Sequence, residues 1–216
     1  MDNKGTPTDS AVLSLRERKH RRTREAIVEA AMRLFAEQGF DGVTVTDIAQ
    51  HAEVGRSTFF RYFADKQEVL FADDAELREM LVAVADERAA AMAPLGDSLA
   101  DALVVARAAV MAITRRIAEH SSWLPVRDRL IGENPELSAR NLIKQRGYVT
   151  AGVEVLRRHG ATPDTSILAT SLAAACFAAG QDRARGGELD LPTAVDEAFG
   201  QLCTLDGQGL RRRFAG

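Results

Sequence analysis

Residues 44–66 constrain the fold more than any other stretch, because their pattern predicts two short helices joined by a tight turn. Thr44 precedes an apolar-periodic segment and Asp47 follows three residues later, which is the spacing of a capping box at a helix start. Glu53-Val54-Gly55 then interrupts the periodicity. The second helix is predicted from about Arg56 to Phe63.

The predicted second helix separates apolar from polar side chains. Phe59 and Phe63 are four residues apart and share one face, which suits packing on the first helix. Arg56 stands at the N-terminal end, and the remaining polar residues lie opposite the two phenylalanines: Ser57, Thr58 and Arg61. Exposed arginine, hydroxyl groups and aromatic rings are typical of a helix that reads DNA in the major groove. The alternative is an ordinary helical hairpin with solvated polar residues.

These residues resemble the DNA-binding domain of the TetR family of bacterial transcriptional regulators. The resemblance covers roughly residues 24–70 and rests on two runs: Thr44-x-x-x-Ile48-Ala49-x-x-Ala52-x-Val54-x-x-x-Thr58-Phe59-Phe60-Arg61-Tyr62-Phe63-x-x-Lys66 and, before it, Ala31-x-x-Leu34-Phe35-x-x-x-Gly39-Phe40. It implies an all-α protein with an N-terminal three-helix helix-turn-helix domain. A C-terminal helical bundle would bind a ligand and form a homodimer.

Two positions depart from the family pattern. Glu53 stands where many members have glycine, so a left-handed backbone there would carry a cost for a residue with a Cβ atom. Phe60 stands where many members have tyrosine, and it offers no hydroxyl group to a phosphate or base. Both departures bear on which operator the protein prefers.

The resemblance also assigns roles to individual side chains. Phosphate contacts are implied for Thr44, Arg61, Tyr62 and Lys66. Base reading is predicted for Arg56, Ser57 and Thr58, and Phe60 is predicted to touch a thymine methyl group or a sugar edge. Because such domains read DNA with two-fold symmetry, the expected partner is a palindromic double-stranded operator.

Charge is distributed unevenly along the chain, whose net charge is −3. Residues 16–24 contain six arginines and lysines against one acid, Glu17. We predict a disordered basic N-terminal arm over residues 1–20, with DNA contact from Arg16 onward. The alternative for this segment is a solvated tail.

Start and stop signals predict nine helices. The first is predicted from about Arg21 to Gln38, and a long fourth helix from a cap at Asp65 toward Ala93. That fourth helix would leave the first domain and enter the second, where it could carry a signal. The predicted ranges are the arm at 1–20, the helix-turn-helix domain at 21–66, the regulatory and dimerisation domain at 67–206, and a flexible tail at 207–216.

The last two predicted helices, about Pro163–Ala184 and Pro192–Leu205, are the expected dimer interface. Residues 168–180 are almost wholly apolar or small, and a helix that is apolar all round must be buried on more than one side. The alternative is that these helices close the core of a single chain.

The second domain resembles the acyl-CoA-like ligand-binding domain of some TetR regulators. The run that carries this resemblance is Trp123-Leu124-x-x-Arg127-x-Arg129-Leu130-Ile131-x-x-Asn134-Pro135-Glu136-Leu137-x-Ala139-Arg140. It implies a small amphipathic effector, an acyl-CoA for instance, whose acidic groups suit guanidinium side chains. The predicted ligand-binding residues are Arg115, Trp123, Arg127 and Arg146. The alternative is solvation or an ion pair for each arginine, and a core position for Trp123.

Catalytic and metal-binding patterns are missing from the sequence. The four histidines are far apart, and there is neither a Cys-x-x-Cys motif nor a glycine-rich phosphate loop. Cys176 and Cys203 are predicted as small core residues of a cytosolic protein, and no apolar run is long enough to cross a bilayer. We therefore expect that the protein is not an enzyme and that it binds no cofactor, no metal ion and no membrane.

The sequence thus favours a cytoplasmic, homodimeric, ligand-responsive transcriptional repressor. Two other classes remain open. One is a constitutive DNA-binding regulator without an effector. The other is a helical enzyme or binding module that carries the N-terminal domain without using it.

Overall fold

The computed structural model describes residues 14–120, 122–187 and 189–204. This part of the chain is all-α, as predicted, and divides into two compact units between Ala72 and Asp73. The sequence predicts the boundary between the two domains at residues 66 and 67 instead. The ten helices of the described residues are α1 (Leu15–Gln38), α2 (Val45–His51), α3 (Arg56–Tyr62), α4 (Lys66–Val69), α5 (Asp74–Ala90), α6 (Leu99–His120), α7 (Leu124–Glu133), α8 (Pro135–Arg158), α9 (Pro163–Arg185) and α10 (Leu191–Cys203).

The first unit holds α1 to α4 around a small aromatic core. Ile27 and Phe35 of α1, Ile48 of α2 and Phe59 of α3 are fully buried. Lys66 donates to carbonyl oxygens in the turn between α1 and α2, which helps to fix how these helices meet. The buried Phe59 anchors α3 in the core to which α1 and α2 also contribute.

Helix α1 begins at Leu15 rather than Arg21, so the prediction of a disordered arm over residues 1–20 is wrong for residues 15–20. The Ser14 hydroxyl accepts a hydrogen bond from the Glu17 N–H at 3.2 Å, and the Glu17 carboxylate accepts one from the Ser14 N–H at 2.8 Å. This capping box satisfies backbone donors that a frayed end would leave unpaired. Residues 1–13 and the predicted tail at 207–216 lie outside the described residues.

The fourth helix is broken, so the prediction of one helix from Asp65 to Ala93 is also wrong. Helix α4 ends at Val69, and the three following residues are buried in the first unit. Successive residues of an α-helix point in different directions, so one straight helix could not bury them all. The N–H groups of residues 70, 71 and 72 instead bond three residues back, which tightens the chain before α5 begins at Asp74.

The turn between α2 and α3 places Glu53 in the left-handed region, with φ of 53°. Glu53 is the one non-glycine residue with positive φ in the part of the chain that the structure describes. The sequence-based expectation of a cost at this position therefore applies.

Replacing Glu53 with glycine should raise the free energy of unfolding by about 0.5–1 kcal/mol. The left-handed conformation costs about 1–2 kcal/mol for a residue with a Cβ atom, and glycine avoids this cost. Part of the gain is lost because glycine also increases the conformational entropy of the unfolded chain. Urea denaturation would measure the difference. Glu53→Ala is the matched control, because it removes the carboxylate but keeps the Cβ atom, and a gain equal to that of glycine would contradict the explanation.

The second unit packs α5 to α10 around two apolar clusters. One joins α5, α6 and α8 through residues such as Leu81, Val105 and Leu156. The other joins α6, α9 and α10 through residues such as Val110 and Val195. Cys176 of α9 is buried in the second cluster as predicted, whereas Cys203 at the end of α10 is exposed and the core prediction for it is wrong.

Helices α9 and α10 approach each other closely at Gly180. A Cβ atom added to Gly180 would lie 2.6 Å from the Val195 Cα atom and 2.7 Å from its backbone nitrogen. The buried side of α9 consists of small residues here, among them Ala169, Ala173 and Cys176. The small side chains noted in the sequence therefore permit backbone-to-backbone packing within one chain.

Candidate nucleic-acid interface

Helix α3 is anchored by its two phenylalanines. Phe59 is fully buried, Phe63 is 5% exposed, and their ring centroids lie 5.8 Å apart. This confirms the predicted packing face. The opposite face of α3 is thereby directed away from the core, whatever it contacts.

The outer face of α3 carries the predicted base-reading residues. Arg56 and Ser57 are exposed, Thr58 is half-buried, and Phe60 is 47% exposed. The Arg56 guanidinium lies over the Phe60 ring, 5.7 Å from its centroid. Phe60 thus gives Arg56 an aromatic surface that restricts its orientation, which a solvated arginine would lack.

A second arginine–aromatic pair lies at the C-terminal turn of α3. The Arg61 guanidinium is 5.4 Å from the centroid of the half-buried Tyr62 ring. The Tyr62 ring also meets His20 of α1, with ring centroids 4.4 Å apart. Tyr62 therefore joins the end of the recognition helix to the first turns of α1.

Thr44 forms the capping box that its spacing with Asp47 predicts. Its hydroxyl donates to the Asp47 carboxylate at 2.6 Å and accepts from the Asp47 N–H at 3.2 Å. The hydrogen bonds from Thr44 hold the pKa of Asp47 below its usual value. Since the hydroxyl proton is already engaged, a phosphate contact by this group would have to replace the bond to Asp47.

Lys66 has a structural role that the sequence did not reveal. Its ammonium group donates to the carbonyl oxygens of Phe40 and Val43, at 2.8 and 2.9 Å, and lies 4.3 Å from the Phe40 ring centroid. It thereby closes the turn between α1 and α2. An ammonium group has three donors, so one is left for the phosphate contact that the family resemblance implies.

The sequence analysis did not predict the contact of α1 with α3 either. Arg24 lies 5.4 Å from the Phe63 ring centroid and its guanidinium donates to the Ala72 carbonyl, while His20 covers Tyr62. His20 and Arg24 continue, at four-residue spacing, the core-facing stripe that includes Ile27 and Ala31. Extending that stripe backwards through the basic segment would have predicted both contacts.

The predicted ligand-binding residues all lie in the second unit, in different environments. Arg115 of α6 and Arg146 of α8 are exposed, and Trp123 is half-buried at the N-terminal cap of α7. Burial lowers the pKa of the Arg127 guanidinium, and the main opposing influence is the neighbouring Asp128 carboxylate. Arg127 is half-buried in the first turn of α7.

Arg127 belongs to a polar cluster at the start of α5. The Tyr148 hydroxyl donates to the Asp74 carbonyl at 3.1 Å, and the Lys144 ammonium lies 3.4 Å from the Asp74 carboxylate. Burial raises the pKa of Tyr148, with Asp74 as the next influence. The cluster ties the first turn of α5 to α7 and α8.

A groove of about 360 Å³ lies between α5 and α8 in the second unit. It is lined by Arg78, Glu79, Val82, Ala83, Asp86, Ala151 and Arg158, and by none of the four predicted ligand-binding residues. Asp86 accepts hydrogen bonds from His159 at 3.0 Å and Arg158 at 2.8 Å, and the bond from His159 is the main cause of its lowered pKa.

The described residues hold neither a candidate metal site nor a candidate membrane span. Among them, no group of three or more histidine, cysteine, aspartate or glutamate side chains is placed to hold a metal ion. None of their helices is long and apolar enough to cross a membrane.

Family models match most of the chain. Residues 27–72 match the model described as bacterial regulatory proteins, tetR family, and residues 100–206 match the model of the MftR C-terminal domain. The first match contains α2, α3 and α4, and the second covers α7 to α10 and nearly all of α6.

Two curated relatives illustrate these matches. The chain is 42% identical over 81 residues to the HTH-type transcriptional regulator TcmR of Streptomyces glaucescens, which covers 38% of this chain and 36% of TcmR. It is 27% identical over 195 residues to the protein named "Putative mycofactocin biosynthesis transcriptional regulator MftR" of Mycobacterium tuberculosis, covering 90% of this chain and 94% of that one.

Solved structures show the same fold. The SmeT–triclosan complex has a TM-score of 0.54 at 18% identity, covering 83% of this chain and 90% of SmeT. The fatty acid degradation regulator FadR from Bacillus halodurans has a TM-score of 0.51 at 21% identity, covering 84% and 95%. The matched families and relatives are transcriptional regulators rather than enzymes. The chain belongs to the TetR family of bacterial regulatory proteins and is a DNA-binding transcriptional regulator.

Proposed function

We propose that this regulator is a homodimeric, cytoplasmic repressor that places α3 of each subunit in the major groove of a palindromic operator. The observation that carries the proposal is the exposed face of α3, where Arg56 is held over Phe60 on a helix anchored by a buried Phe59. Base contacts then come from Arg56, Ser57 and Thr58, with Phe60 against a thymine methyl group or sugar edge. Phosphate contacts come from Thr44, Arg61, Tyr62 and Lys66.

Arg56→Ala should relax base preference at one position of each half-site, at a cost of about 1–3 kcal/mol on the preferred base. The reason is that an arginine aimed from the N-terminal turn of a recognition helix donates to the edge of one base pair. Selection from a random duplex library, with wild-type and variant protein side by side, measures this preference.

Arg33→Ala is the matched control for Arg56→Ala. Arg33 is an exposed arginine of α1 that pairs with Glu29 at 3.0 Å, so its loss should leave the preference unchanged. An equal loss of affinity for all sequences with Arg56→Ala would show that Arg56 contacts phosphate rather than a base.

The dimer proposal is supported by an exposed stripe on α9. Its members are small or apolar and lie on one face: Leu168, Ser171, Ala175, Ala178 and Ala179. The opposite face of α9 is buried in the chain's own core, so this stripe is available to a second copy. With α10 beside it, two subunits would form a four-helix interface whose two-fold axis matches that of the operator.

The proposed effector is an acidic amphiphile, with acyl-CoA thioesters as the compounds to test. The half-buried position of Arg127, near Asp74 and Tyr148, supports a site in the second unit, where a guanidinium group would bind phosphate or carboxylate strongly. The solved SmeT complex contains triclosan, and FadR from Bacillus halodurans is a fatty acid degradation regulator. The effector would act by binding more tightly to the conformation that cannot bind DNA than to the DNA-bound conformation.

Operator release by acyl-CoA tests the effector proposal. Fluorescence anisotropy of the selected operator should fall on addition of a long-chain acyl-CoA and stay unchanged with coenzyme A alone. Release by coenzyme A alone would replace the amphiphile with a nucleotide. Operator binding that no thioester changes would make the protein a constitutive regulator or one with another effector, while leaving its DNA-binding function intact.

A further inference from the structure

The first turns of α1 form an ordered basic helix beside the recognition helix. The capping box between Ser14 and Glu17 fixes its start, and the contact between His20 and Tyr62 fixes its rotation against α3. A disordered basic tail would offer charge without direction. Here the helical geometry decides which cations lie on the α3 side.

Positions along α1 can be ranked by their angle from His20, at about 100° per residue. Arg16 lies about 40° from His20, on the side that meets α3, and Lys19 lies about 100° away, on the flank of the helix next to Arg16. Arg18 and Arg22 lie about 160° away, on the opposite side. Arg16 also stands one turn, about 6 Å, beyond His20 along the axis of α1.

The acidic residues of this segment are already engaged. The Glu17 carboxylate caps the helix, and Glu25 lies 3.6 Å from Arg21. Within residues 14–120, 122–187 and 189–204, no carboxylate forms an ion pair with Arg16 or Lys19. Both side chains are exposed, so an anion that approaches α3 from outside can meet them.

We propose that Arg16 and Lys19 bind DNA phosphates flanking the bases read by α3, and that His20 is a positioning residue for this contact. The two cations are about 4.5 Å apart along the helix axis, so their long side chains can reach neighbouring phosphates of one DNA strand. This contact rests on the proposed placement of α3 in the major groove. It extends the phosphate footprint of each subunit beyond the helix-turn-helix and adds affinity without adding base preference.

A charge-matched pair of double variants tests the proposal. Arg16→Ala/Lys19→Ala removes two charges from the α3 side and the adjacent flank, whereas Arg18→Ala/Arg22→Ala removes the same charge from the side away from α3, and alanine preserves helical propensity in both. The slope of log affinity against log salt falls by about 0.9 for each lost phosphate contact. The first variant is expected to flatten the slope by about 1.8 per subunit and the second to leave it close to wild type, on an operator and on a non-specific duplex.

The positioning role of His20 needs a separate readout. His20→Ala should flatten the slope part of the way, whereas His20→Phe, which keeps a ring against Tyr62, should retain the wild-type slope. In phosphate ethylation interference, the signal at the flanking phosphates should disappear in Arg16→Ala/Lys19→Ala and persist in Arg18→Ala/Arg22→Ala. Circular dichroism of each variant checks that the helix content is unchanged.

Three results would overturn the proposal. Equal slope changes in both double variants would show that the basic segment supplies charge without direction. An unchanged slope in Arg16→Ala/Lys19→Ala would show that these two residues do not contact phosphates. If His20→Phe behaved like His20→Ala, His20 would have no positioning role. Failure of the proposed function looks different. If α3 does not read bases, Arg56→Ala leaves base preference unaltered, while the slope difference between the double variants persists on non-specific DNA.

Discussion

Gly180→Ala is expected to lower the free energy of unfolding by about 3 kcal/mol. The new methyl group would lie 2.6 Å from the Val195 Cα atom, and backbone atoms cannot rotate out of its way as a side chain can. Helices α9 and α10 would have to separate, which loosens the cluster around Val195 and Phe199. Denaturation by urea, followed by circular dichroism, measures the change.

Gly132→Ala provides the control for Gly180→Ala. Gly132 also lies within a helix, but a Cβ atom added there meets nothing within 4 Å. It should stabilise the protein by up to about 1 kcal/mol, because alanine is the better helix former. Similar effects at the two positions would show that close packing of α9 on α10 does not limit stability.

Ala175→Glu is expected to dissociate the proposed dimer and abolish tight operator binding. The substitution places an unpaired carboxylate in the centre of the exposed stripe on α9, where burial of an uncompensated charge costs about 3–5 kcal/mol. This cost corresponds to at least about a 100-fold rise in the dimer dissociation constant. Sedimentation velocity over a range of protein concentrations measures the dissociation constant directly.

Ala100→Glu is the matched control for the dimer variant. Ala100 is an exposed alanine in the first turn of α6, where a glutamate is favourable near the helix N-terminus. It should leave both the dissociation constant and operator binding unchanged. A dimer that survives Ala175→Glu would contradict the α9 interface and require another surface for self-association.

Local signals predicted much of the fold. The Thr44–Asp47 capping box and the start of α9 at Pro163, which follows the Thr162 cap, are formed by residues that are close in sequence. Each depends on backbone geometry within one turn, so tertiary packing does not override it. The helix starts were therefore readable without any structure.

Other features depend on contacts between distant residues. The break between α4 and α5 arises because Phe71 and Ala72 are buried against the first unit, and the two carbonyl contacts of Lys66 span 23 and 26 residues. Neither leaves a periodic pattern in the sequence. The start of α1 was predictable, but the basic composition of residues 16–24 obscured its Ser-x-x-Glu cap.

The candidate interface likewise has a part that the sequence predicts and a part that it does not. The packing face of α3 followed from the spacing of Phe59 and Phe63. The two arginine–aromatic pairs on its outer face, and the contact of His20 with Tyr62, depend on side-chain rotamers and on how α1 meets α3. Sequence spacing could supply the residue types but not these contacts.

Operator selection from a random duplex library tests the central claim most directly. We predict enrichment of an inverted repeat whose half-sites are separated by whole turns of DNA, about 10–10.5 base pairs each, with one homodimer bound per site. Enrichment of a single half-site without its inverted partner would contradict the dimeric reading of DNA. No enrichment of any sequence would contradict the assignment of α3 as the base-reading helix.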